Sequence, residues 1–258
     1  MLSKTLLILQ NSRSQLRCHS QVIANFEDYY NQHHIQTNAF QKVLLTAGSA
    51  AVCLLNPFRA DMIACLGETS GVAATQHILE KMKESEEGCR ILADQPRINT
   101  KTINLNYLQN LPEGTLGKTY YNFLADNKVT PDSRDPVRFV DDIELAYVLQ
   151  RYREAHDLIH TILQMPTHML GEVTVKWVEA LQFKLPMCIA GGIFGAMRLK
   201  PKQRQNYKKF YLPWAIDTGQ NAKFLMNVYY EKRWEQPLDE FYKEFNIKPL
   251  IIESSKKK

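Results

Sequence analysis

Asp141 to Met165 read DDIELAYVLQRYREAHDLIHTILQM. Leu145, Val148, Tyr152, Ala155, Ile159 and Ile162 recur at intervals of three and four, the period of a core-facing helical stripe. Arg151, Arg153 and Glu154 fall on the opposite side as a charged face, and His156 and His160 lie at the edge of the apolar stripe. Histidines four apart share one helix face, about 5–6 Å apart at Cβ, close enough to hold one cation. Asp157, three residues before His160, can turn its carboxylate to the same side.

A histidine pair on a core-facing helix is by itself more often structural, one ring buried on a carbonyl and the other partly exposed. Asp157 tilts the reading, because a buried carboxylate needs a cation or donors to offset its desolvation. Two imidazoles and a carboxylate suit zinc, with iron or manganese as alternatives. Pro166 and Gly171 break the helical pattern, so a new helix from near Glu172 to before Pro186 can turn back alongside the first. Glu172, twelve residues after His160, is then the candidate fourth ligand. Its ordinary reading is a helix-start glutamate favoured by the dipole and paired with Lys176. Glu154 and the loop residue His168 are candidate proton donors, His168 having solvent exposure as its plainer reading.

Outward from this segment the pattern stays helical. Helices are expected over 39–55, ending at Asn56-Pro57; from a cap at Asp61; from Thr69-Ser70 through Lys83, with Ile78, Leu79 and Met82 on one side; and after Glu84 to Gly88, ending near Pro96. The alternation Ile103-Leu105-Tyr107 is a weak extended signal. Turn chemistry at 111–115 precedes a helix at 116–126, and Pro131 to Pro136 form a polar loop. Further helices are expected from Asp217 to Trp234 and from Pro237 to Phe245. Nothing divides the chain, so the fold expected is mostly α, a single helical domain over 26–258 with a helix-borne metal site.

Among 258 residues the formal charge is +5. Lys4, Arg13 and Arg17 precede the first acid, Glu27, and Lys256-Lys257-Lys258 close the chain. A body so near neutrality carries no electrostatic case for nucleic-acid binding. Residues 1–25, basic, Ser-rich and acid-free, read as a mitochondrial presequence. Five scattered cysteines without C-x-x-C argue against a disulfide framework and a thiolate zinc site, and read as small buried hydrophobes. The apolar runs Val43 to Leu55 and Leu185 to Leu199 are too short to span a bilayer; they suit core helices or membrane-surface contact. H-E-x-x-H, the P-loop, G-x-G-x-x-G and G-x-S-x-G are missing.

His156-Asp157-Leu158-Ile159-His160, eleven residues, then Glu172 resembles the signature of the Coq-four family of ubiquinone (coenzyme Q) biosynthesis. Further segments resemble that family: Asn56 to Met62, Leu66 to Thr69, Leu111 to Gly117, Glu144 to Glu154, Pro213 to Ala215 and Glu231 to Glu235. The likeness covers roughly residues 38–249. It implies a helical matrix protein lying peripherally on the mitochondrial inner membrane, in a complex with other ubiquinone-biosynthesis enzymes. It implies a divalent metal, zinc first, on His156, Asp157, His160 and Glu172. It also implies loss of the C1 carboxyl from a 4-hydroxy-3-methoxy-5-polyprenylbenzoate, with or without C1 hydroxylation. The alternatives are a non-catalytic lipid-binding scaffold of that complex, or a structural subunit of another mitochondrial assembly.

Overall fold

The computed structural model describes residues 26–56 and 59–252. The presequence reading of 1–25, the Pro57-Phe58 pair, Cys18 and the terminal lysines lie outside them. Residues 26–31 are helical, and from residue 39 onward the helices are α1 (Ala39–Leu55), α2 (Ala60–Ser70), α3 (Val72–Lys83), α4 (Glu86–Asp94), α5 (Leu105–Gln109), α6 (Leu116–Asn127), α7 (Ile143–Ile162), α8 (Met169–Phe183), α9 (Pro186–Met197), α10 (Pro201–Asn206), α11 (Leu212–Asn221) and α12 (Leu238–Phe245). A π-helical turn, Tyr207–Tyr211, joins α10 to α11, and two 3₁₀ turns lie at Leu225–Asn227 and Tyr230–Lys232. Among the described residues the β structure is a single isolated bridge between Thr115 and Pro237.

α7 is the axis of the molecule. Asp142 caps it, accepting from the Leu145 amide, and every residue from Leu145 to Ile162 is buried. α3 and α6 pack against it, while α8 packs on α9 and α11. The charged face expected of α7 is therefore overturned: Arg151, Arg153 and Glu154 are all interior, because the loops and α2 close over that side. Each has found a partner. Arg151 meets Glu231 with both terminal nitrogens, at 2.6 and 3.0 Å, and the Val228 carbonyl at 3.1 Å. Arg153 meets Glu68 at 2.5 Å. Glu154 accepts from Arg97 at 2.8 Å, the Ile98 amide at 2.8 Å and Gln150 at 2.9 Å.

Several other boundaries move for local reasons. α2 begins at Ala60, and Asp61 pairs with Arg59 instead of capping. Thr69 and Ser70 end α2, their hydroxyls bonding back to Cys65 and Leu66 carbonyls, so α3 opens only after Gly71. A Cβ at Gly71 would lie 2.2 Å from the Gly67 carbonyl oxygen, which is why the chain can fold back so tightly there. α4 starts inside the expected polar stretch because Ser85 caps it. The extended signal near 103–107 fails: Asn99 organises a turn and Asn104 caps α5. The long helix expected to Trp234 stops at Asn221. There Gln182 captures the carbonyls of Ala222 and Lys223 and the amide of Leu225, holding the strand-like exit that the two 3₁₀ turns continue. Of the described cysteines, Cys65 and Cys188 are buried as expected, Cys53 is half-buried and Cys89 is exposed.

Candidate metal centre

α7 carries His156 and His160 one turn apart, their ring centroids 4.8 Å apart and nearly perpendicular. After Leu163 the chain reverses through Gln164, at positive φ, and the Met165 amide bonds back to the His160 carbonyl. α8 begins at Met169, three residues earlier than expected, because the His168 ring accepts the Gly171 amide as its cap. Gly171 is required: a Cβ there would lie 2.0 Å from the Pro166 carbonyl oxygen. That close approach sets Glu172 opposite the two histidines.

The hydrogen bonds determine which ring nitrogens face inward. His160 Nδ1 lies 3.0 Å from the Met165 carbonyl, an acceptor only, so Nδ1 carries the proton. His156 Nδ1 lies 2.6 Å from Glu179 and is likewise the donor. Both Nε2 atoms then turn to Glu172, at 2.7 Å from His160 and 3.6 Å from His156. In neutral rings those nitrogens are lone pairs, so acceptors confront a carboxylate and require a positive charge between them, a proton or a metal ion. One ligand atom from each of His156, His160 and Glu172 lies within 4.8 Å of the others. Two nitrogens and an oxygen at this spacing fit zinc.

The electrostatics agree. Burial pushes the Glu172 carboxyl up, but hydrogen bonds from His156 and His160 outweigh it and hold the carboxyl well below the usual carboxylate range. Burial disfavours the charged form of His156, yet Glu179 raises it above its ordinary value. Glu179, itself fully buried, is held down against burial by His156 and Lys176.

Not every expected residue joins the cluster. Asp157 is buried beside it, but its carboxylate is taken by Arg134 at 2.6 Å. Glu154 is turned to Arg97 and the Ile98 amide, and exposed His168 is engaged in capping α8. Lys176 pairs with Glu179 at 2.7 Å and not with Glu172. Arg134, Tyr152 and Glu179 were missed. Glu172, Lys176 and Glu179, at i, i+4 and i+7, share one helix face, a spacing legible in the sequence. Arg134, on a loop, left no such signal.

A small cavity of about 100 Å³ opens beside His156. Ser133, Arg134, Asp135, Tyr152, Arg153 and Lys176 line it together with the apolar Ala60, Ile63, Ala64 and Met187 from α2 and α9. The lining is thus mixed, with the cations Arg134, Arg153 and Lys176 and the carboxylate Asp135 beside four apolar side chains.

Residues 30–250 match the family described as Coenzyme Q (ubiquinone) biosynthesis protein Coq4. The ubiquinone biosynthesis protein COQ4 homolog, mitochondrial, of Bombyx mori is 58% identical over 226 residues, 88% of this chain and 87% of that protein. Its namesakes in Drosophila melanogaster and Aedes aegypti are 58% and 54% identical, covering 87% and 90% of this chain and 84% and 85% of theirs. A crystal structure from Nostoc punctiforme, of a protein provisionally assigned to ubiquinone biosynthesis, superposes with a TM-score of 0.62 over 81% of this chain and 97% of that one. At 18% identity it supports the fold alone.

Proposed function

Because the chain belongs to the family of the coenzyme Q (ubiquinone) biosynthesis protein Coq4, we propose that it serves ubiquinone biosynthesis as a metal-dependent carboxy-lyase. The proposed substrate is a 4-hydroxy-3-methoxy-5-polyprenylbenzoate. The observation that supports this reading best is the convergence of two histidine Nε2 atoms and the Glu172 carboxylate beside a pocket lined by both cationic and apolar side chains. His156, His160 and Glu172 would hold the ion, and Asp157 joins them only by releasing Arg134. A bound divalent ion supplies Lewis acidity toward the substrate's oxygens.

In the simplest reaction the bond from C1 to its carboxyl breaks and carbon dioxide leaves. The electron pair stays on C1, where a proton takes it up; the para hydroxyl feeds electrons toward that carbon. A version coupled to C1 hydroxylation needs an oxidant from outside the chain. Arg134 and Lys176 provide positive charge for the carboxylate. The Lys176 ammonium and the Tyr152 hydroxyl, 3.2 Å apart, are both kept protonated: burial disfavours charge on each, but Glu179 lifts Lys176 above its ordinary value, and burial lifts Tyr152. Both face the pocket and can carry a proton to it.

The cavity is smaller than a drug-sized pocket, so a polyprenyl chain must run outward, past the apolar residues of α2 and α9. That direction leads to α1 and α9, which expose Phe40, Val43, Leu44, Ile193, Phe194 and Met197. Among the described residues no helix is long and apolar enough to cross a membrane. We place this face against the matrix side of the mitochondrial inner membrane, reached through residues 1–25 as presequence, with other enzymes of the pathway as partners.

The test is turnover of a prenylated 4-hydroxy-3-methoxybenzoate followed by mass spectrometry. Wild type should yield product lacking the carboxyl, and Glu172→Gln should yield none while staying folded. No product from the folded, zinc-loaded wild type would overturn the enzymatic reading and leave the scaffold, and equal turnover by the two proteins would overturn the dependence on the metal centre.

A further inference from the structure

Glu179 is outside the H-D-x-x-H and Glu172 pattern, yet it is the most enclosed carboxylate near the cluster, with 0% exposure. It stands two turns beyond Glu172 on the same face of α8. One oxygen accepts His156 Nδ1–H at 2.6 Å. The other accepts from Lys176 Nζ at 2.7 Å, Tyr152 hydroxyl at 2.9 Å and Cys188 Sγ at 3.5 Å. Donors therefore surround the carboxylate, and it cannot rotate away from the ring without abandoning buried polar groups. We infer that Glu179 is a positioning residue for the metal centre, fixing His156 in the tautomer and orientation that present Nε2 to the ion.

The inference rests on the metal reading above. A carboxylate on the far nitrogen of a ligating histidine fixes the ring and raises its basicity. Glutamine cannot reproduce this. If its oxygen faces His156, its amino group confronts the donors of Lys176 and Tyr152. If its amino group faces Nδ1, the ring must carry its proton on Nε2, where the ion would bind. Lys176 separates this role from a purely structural one, because it shares the buried ion pair with Glu179 but adds a positive charge 3.5 Å from His156 Nδ1. Removing Lys176 breaks the pair without releasing the ring.

The experiment is competition of the full chain with a chromophoric chelator for zinc, repeated with cobalt to read the ligand-field spectrum, and with circular dichroism to confirm folding. Glu179→Gln is expected to weaken zinc binding about 10- to 100-fold and to alter the cobalt spectrum. Lys176→Gln should bind no more weakly than wild type. If Glu179→Gln fails to fold, Glu179→Asp keeps the charge but withdraws it from Nδ1, and the same weakening is expected. Wild-type affinity in the glutamine or aspartate variant, or equal losses in the Glu179 and Lys176 variants, would overturn the inference while leaving the metal reading standing. A folded wild type that binds neither ion would overturn both.

Discussion

α7 and α1 invert the usual arrangement of a water-soluble fold. α7 buries Arg151, Arg153, Glu154, His156, Asp157 and His160, whereas α1, far more apolar, buries only Ser49 and leaves Leu55 86% exposed. Buried charge is tolerated only where each group has a partner, and on α7 each does. Exposed apolar surface in one patch needs something to cover it. Under the proposed function, chemistry belongs to the inner helix and association to the outer one.

The largest effect is expected where that contrast is deepest. Glu68→Ala strips Arg153 of its 2.5 Å partner and should lower stability by about 3–5 kcal/mol, read by urea unfolding. A loss comparable to a surface change would mean that α7 does not depend on its internal ion pairs.

Next comes the response to pH. His156 titrates above its ordinary 6.5 and Glu172 below its ordinary 4.5. Between those values both contributions to the stability of the metal-free protein are complete. As pH falls through the depressed Glu172 value its contribution is lost, and as pH rises through the raised His156 value that one is lost. Zinc must displace the His156 proton, so its affinity should climb over the upper window. Thermal melting should therefore fall above pH 6.5 without zinc and rise with it; parallel curves would sever His156 from the ion.

How much of this was legible follows from where the information lies. α7, α8, the His156 and His160 pair and Glu172 came from periodicity and from breakers at Pro166 and Gly171, which act locally. The environment of α7 did not: a charged face at helical spacing reads as solvated unless one knows that Glu68, Arg97 and Glu231, 57 to 85 residues away, fold over it. Asp157 illustrates the same limit. Its spacing allowed metal contact, but Arg134 reached it first from a loop with no pattern. The helix expected through Trp234 failed because Gln182, on another element, captures the backbone at Ala222.

Arg134→Gln sharpens the Asp157 question. Removing a cation near the cluster and freeing Asp157 should raise zinc affinity severalfold, measured by the same chelator competition; a drop would show that Arg134 supports the centre. The smallest stability change belongs to the outer helix. Leu44→Ser should shift stability by no more than about 0.5 kcal/mol but reduce flotation with cardiolipin-containing vesicles, and unchanged flotation would remove α1 from the contact.

The most direct measurement is metal stoichiometry by inductively coupled plasma mass spectrometry on the purified chain beside His160→Ala. About one zinc per folded chain, lost in the variant, is expected from three converging ligands. A folded wild type that takes up no metal, or a variant that keeps it, would contradict the metal centre and leave His156, His160 and Glu172 as a buried ion-pair cluster.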